Sequence, residues 1–95
     1  MTYEITGQLL EVQFQSDFNL LAVQKLEAVV TNMETIHFDM KGAKFADSQA
    51  VIFLNSLIRQ GKKVRISNPP KIFFEVIRIL GLDQAWNIDE LVIQQ

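Results

Sequence analysis

The sequence contains no cysteine and a single histidine. Without thiols there is no disulfide and no thiolate nucleophile, and one imidazole falls short of the ligand set of a zinc site. No metal and no cofactor is expected. The chain also lacks any uninterrupted apolar run near the roughly 20 residues of a membrane helix. Its start, Met1-Thr2-Tyr3-Glu4, has neither the basic nor the apolar region of a secretion signal. The expected location is the cytoplasm, with no insertion into a membrane. A serine-nucleophile elbow is missing, and of a phosphate-binding loop only Gly61-Lys62 is present, ending an element where it should begin one. Charge of one sign is missing too: nine basic against eleven acidic side chains leave −2, too even a balance to act as a field for nucleic acid.

What the chain has in quantity is apolar side chain. Hydrophobic residues make up 48% of its 95 residues and charged ones 21%, enough for one core without staples, so residues 1–95 are read as a single domain. Tyr3 and Ile5 alternate with polar neighbours, as do Leu10, Val12 and Phe14, with Gly7-Gln8 between the two runs. That is the pattern of an N-terminal hairpin. From Phe18 the period lengthens: Phe18, Ala22, Leu26, Val29 and Met33 predict a first helix, with Asp17 as its cap. Ile36, Phe38 and Met40 alternate with Thr35, His37 and Asp39 in a third strand whose two faces differ, so one face of the sheet is expected to be covered.

After a loop from Lys41 to Ala46, the run Ala50 to Ile58, preceded by Asp47-Ser48 and stopped at Gly61, predicts a second helix capped by Asp or Ser. Val64 and Ile66 form a brief strand. Pro70 opens a third helix carrying Ile72, Phe73, Val76, Ile77 and Leu80, and Gly81 ends it. The tail, residues 88–95, reads equally as a short helix or an edge strand. Strand and helix in alternation imply parallel pairing with right-handed crossovers. The expected fold is α/β, a mixed sheet of about four strands with helices mainly on one face.

Catalysis by a hydroxyl would need His37 as its base, and His37 lies on the polar face of a strand, away from Ser48 at the loop–helix junction. The expected protein is not an enzyme. A basic segment, Arg59 to Arg78, carries a net +5 against −7 for the rest of the chain; lacking interleaved aromatics, it reads as a solvated rim, and nucleic acid is not expected as a partner. On the second helix, Ser48, Ile52, Asn55 and Arg59 share a polar stripe that Ile52 interrupts. Phe74, flanked by Lys71 and Arg78, interrupts the polar face of the third helix in the same way. Two exposed apolar side chains beside a capped helix start point to a protein-binding patch. Its expected members are Asp47, Ser48, Gln49, Ile52 and Asn55, with Phe74 and Arg78.

Four segments, Ile36-His37-Phe38-Asp39-Met40, Phe45-Ala46-Asp47-Ser48, Gly61-Lys62-Lys63-Val64 and Ile79-Leu80-Gly81-Leu82, fall in an order of elements that resembles the STAS domain. This is the fold of anti-sigma factor antagonists and of the C-terminal part of sulfate transporters, and the likeness spans most of the chain. It implies a non-catalytic regulatory module that binds a protein: an anti-sigma factor or kinase of GHKL type. In antagonists switched by phosphorylation, the modified hydroxyl is the second residue after the Asp. Here that position is Gln49 and the following glycine is Ala50, so the usual switch is absent. Ser48, directly after Asp47, instead matches the hydroxyl implied by resemblance to the MlaB-type STAS subunits of phospholipid-transport ABC systems, whose partner is the ATPase. Ser48 is then the residue open to phosphorylation, with a phosphate that suits the helix dipole and opposes an acidic partner.

Overall fold

The computed structural model describes residues 1–93. Five strands, β1 (Thr2–Thr6), β2 (Leu9–Gln13), β3 (Thr35–Asp39), β4 (Lys63–Ser67) and β5 (Val92–Ile93), lie in one sheet in the order of the chain. β1 and β2 are antiparallel across the two-residue turn Gly7-Gln8, whose glycine takes a left-handed φ of 61°. Every later pairing is parallel. The helices α1 (Leu20–Val30), α2 (Ser48–Arg59), α3 (Lys71–Ile79) and the single turn α4 (Ile88–Leu91) connect the parallel strands.

Strands that follow one another across the sheet with crossovers of one hand put all their helices on the same face. The burial pattern agrees. Leu10, Val12, Ile36, Phe38, Val64 and Ile66 are buried beneath the helices, while Glu11, Gln13, His37, Asp39, Lys63 and Arg65 alternate with them on the open face. The expected mixed sheet with helices on one face is thus present, with a two-residue fifth strand added at its edge. The tail takes both forms left open for it: a helical turn to Leu91 leads directly into β5, and residues 94 and 95 lie outside the described part.

Two expectations about α1 need correction. Phe18 is not helical. It is fully buried and forms an isolated parallel bridge to Ala46, and the helix begins two residues later. The cap is Asn19, whose Oδ1 accepts from the Ala22 backbone N–H at 3.2 Å, not Asp17. Spacing misled because Phe18 sits one helical step before Ala22 yet reaches the core from a bridge. At the other end, Gly61 closes α2 with φ 83°, and Lys62 turns inward so that its Nζ donates to the carbonyls of Thr31 and Met33 just past α1. That contact suits the negative end of the α1 dipole and assigns Gly61-Lys62 a structural task.

Candidate site at the start of helix α2

The site grows from the carboxyl ends of β2 and β3, where four phenylalanines meet under the helices. Phe14 stacks on Phe18 with ring centroids 4.5 Å apart, Phe18 lies 5.6 Å from Phe38, and Phe53 of α2 meets Phe18 edge-on at 6.3 Å. Phe18 anchors the loop above it. Its N–H donates to the Phe45 carbonyl at 2.9 Å and its carbonyl accepts from Asp47 N–H at 3.1 Å, so the segment before α2 runs as a short strand beside it. Asp17 completes the attachment: its Oδ1 accepts from the backbone N–H groups of Lys44 and Phe45, each at 3.2 Å. Gly42 passes so close to the segment just after β2 that a Cβ there would overlap the Phe14 carbonyl oxygen.

With its loop held, Asp47 becomes the N-cap of α2, and its Oδ1 accepts from Ala50 N–H at 3.0 Å. Of the two capping residues the sequence offered, Asp47 is the one used. Ser48 is the first helical residue and is exposed, with its hydroxyl free of the capping bond. Ala50, Val51, Phe53, Leu54 and Leu57 turn to the core. Ser48, Ile52 and Arg59 face out, and Ile52 is 50% exposed.

The expected site residues separate into groups. Asp47, Ser48, Gln49 and Ile52 lie within the first turns of α2, and Gln49 and Ile52 border a groove of ≈ 480 Å³ between α1 and α2. Asn55 is half-buried, and its Oδ1 accepts from Trp86 Nε1 at 3.0 Å, which ties the segment after α3 to α2. Phe74 and Arg78 sit on α3, and no hydrogen bond among the described residues joins them to α2. Phe74 is exposed and its ring meets Phe73 edge-on. Two residues missing from the sequence reading belong with the first group. Leu20 of α1 lines the same groove, and Phe45, 56% exposed, stands on the loop that Asp17 and Phe18 hold. Phe45 lies in the Phe45-Ala46-Asp47-Ser48 segment, but its exposure follows from a tertiary attachment between loops far apart in sequence.

His37 and Ser48 do not converge. His37 projects from the open face of β3, where its Nε2 lies 2.8 Å from the Ser67 Oγ, whereas Ser48 heads a helix on the covered side. Ser67 is 1% exposed, so its hydroxyl is closed to a substrate. Asp39 is engaged elsewhere, its Oδ1 accepting from Lys41 N–H and Asn68 Nδ2. Among the described residues no group of three His, Cys, Asp or Glu side chains is placed to hold a metal, and no helix is long and apolar enough to cross a membrane.

Comparison of the sequence with protein-family models and with curated proteins gives no match. Comparison of the structure does. The anti-sigma factor antagonist SpoIIAA in its unphosphorylated form superposes with a TM-score of 0.76 over 99% of this chain and 86% of that one, at 16% identity. The Bacillus cell fate determinant SpoIIAA in its phosphorylated form gives 0.71, with 99% and 89% covered, at 17% identity. The fold is that of a STAS domain. The resemblance carried by the four short segments therefore holds at the level of architecture, and the Asp47-Ser48 turn lies at the head of α2, at the end of the loop that follows β3 and beside the loop that follows β2.

Proposed function

We propose that this STAS domain is a non-catalytic regulatory module, similar in action to an anti-sigma factor antagonist, and that it binds a protein partner through the start of α2. The observation that carries the reading is the exposure of Phe45 and Ile52 around the Asp47-Ser48 turn on a loop whose backbone is fastened by Asp17 and Phe18. Large apolar side chains held outward on a fixed frame have little flexibility to lose when a partner covers them. The partner surface meets Ser48, Gln49, Ile52 and Phe45, with Leu20 at the margin of the groove. Asp47 acts through its cap, and Asn55 through Trp86. Phe74 and Arg78 form an outlying contact on α3. The fold likeness to SpoIIAA supports an anti-sigma factor or a kinase of GHKL type as the partner.

A second reading is favoured by one residue. The hydroxyl beside Asp47 is at Ser48, with Gln49 following, the arrangement that resembles MlaB-type subunits and makes the partner the ATPase of a phospholipid-transport ABC system. Affinity capture from the native cell distinguishes the two by the class of protein recovered. The test of the site pairs that capture with thermal melts of Ile52→Asp and Ser48→Glu. Both variants should melt close to the parent and lose the partner, by tenfold or more in affinity; folded variants that bind as the parent does would refute the placement. Phosphate on Ser48 is expected to act in the same direction as Ser48→Glu, because added negative charge at a helix start leaves the fold intact and changes only what faces it.

A further inference from the structure

The far edge of the sheet has a surface that the proposed function does not use. Among the described residues β1 pairs with β2 alone, residue for residue from Thr2–Gln13 to Thr6–Leu9, and all five of its residues are exposed. Antiparallel pairing turns the N–H and C=O of alternate residues away from the partner strand, so the outer side of β1 presents a row of unpaired backbone groups. Tyr3 and Ile5 stand opposite Val12 and Leu10 and so lie on the helix-covered face, yet they remain 51% and 48% exposed because the helical layer stops short of the edge. On the open face Glu4 stands directly opposite Glu11, and the row continues through His37 to Arg65. Two like charges opposed across a strand pair are unfavourable unless a cation joins them.

Proteins usually blunt such an edge with proline, lysine, a bulge or a very short strand. At the opposite edge β5 has two residues among the described ones. β1 has five residues in unbroken register, without proline or lysine, and one charge, Glu4. A second copy of this chain is a poor occupant. Pairing both β1 strands over their full length about a two-fold axis sets Tyr3 against the second copy's Ile5, which is favourable, but sets Glu4 against the second copy's Glu4 on a face that already holds Glu11.

We propose that β1 accepts, as a sixth strand, an extended protein segment in which a lysine or arginine stands between two apolar residues. The backbone of the segment satisfies the free edge, its apolar pair covers Tyr3 and Ile5, and its cation meets Glu4 and relieves the opposition with Glu11. The pattern apolar, basic, apolar reads the same in both chain directions, so it fits either orientation of pairing. This surface is independent of the site on α2.

The test is an NMR titration of the full chain with two synthetic peptides, Thr-Val-Lys-Val-Thr and Thr-Val-Glu-Val-Thr, at low salt. The lysine peptide is expected to shift the amide signals of Tyr3, Glu4 and Ile5 and to bind roughly three- to tenfold tighter than the glutamate peptide, as expected when an opposite-charge pair replaces a like-charge one. Glu4→Lys, at an exposed position that leaves the amide spectrum of a folded domain, should invert the preference. Equal binding of the two peptides, shifts confined to residues outside β1, or an unchanged preference in Glu4→Lys would overturn the proposal. So would sedimentation of the parent chain as a dimer that Ile5→Lys dissolves, since the edge would then be occupied by a second copy.

Discussion

Of the three loops that leave the carboxyl edge of the sheet for a helix, the last two are built differently. The one from β4 to α3 is three residues, Asn68-Pro69-Pro70. Asn68 adopts a left-handed φ of 54° and donates to Asp39, and α3 starts from Pro70 with no side-chain cap. Nothing in it exceeds what a chain reversal requires. The one from β3 to α2 runs from Met40 to Asp47. It is bridged to Phe18, fastened twice by Asp17, pressed onto Phe14 at Gly42 and capped by Asp47, and it holds Phe45 out into solvent. Order of that degree is not needed to connect two elements. A loop fastened along its backbone and apolar at its tip is the feature on which the proposed contact rests.

The largest effect that would break this contrast is expected from Phe18→Ala, which removes the ring shared by Phe14, Phe38 and Phe53 and frees the bridge above it. A loss of about 3–5 kcal/mol is expected in denaturant unfolding. A loss below about 1 kcal/mol would mean the loop does not depend on that anchor. Next comes Gly42→Ala. Its methyl meets backbone, not a flexible side chain, so about 1–3 kcal/mol should be lost, with amide exchange around Lys44 and Phe45 accelerated. A neutral result would show the loop is soft.

Asp47→Ala removes the cap and should lower stability by about 0.5–2 kcal/mol, read as a fall in melting temperature. No equivalent substitution exists at Pro70, which contributes no capping bond. Ser48→Ala should be the smallest, within about 0.5 kcal/mol of the parent, because Asp47 and not Ser48 caps the helix. A larger loss would give Ser48 a structural part and weaken its reading as a contact residue.

The strands and helices were legible because each wrote its period into the apolar residues: Ile36, Phe38 and Met40 at two, Leu54 and Leu57 on one helical face. The start of α2 was equally plain, since Asp47 precedes a long apolar run. What local pattern could not supply is how separate segments meet. Asp17 looks like a cap, and only the apposition of two loops makes it the acceptor for Lys44 and Phe45. Ser67 and His37 are paired by the offset of neighbouring strands, which no spacing within either strand reveals. Tyr3 and Ile5 alternate as core residues do, and their exposure is decided by how far the helical layer extends. For the proposed site on α2, the placing of Asp47 to Ile52 at the helix start was readable, whereas Phe45 and Leu20 come near it through space, and Asn55 turns to Trp86.

The order of the strands across the sheet is also their order of synthesis. Each one, as it leaves the ribosome, finds the neighbour it needs already made, and the helix that must cover the new pair lies in the stretch of chain just completed. That order lets the sheet grow outward from the first hairpin, with no gap held open for a later segment. A chain assembled in that direction never has to insert a strand between two others, the step at which sheets of mixed order are slow and prone to pairing with the wrong molecule.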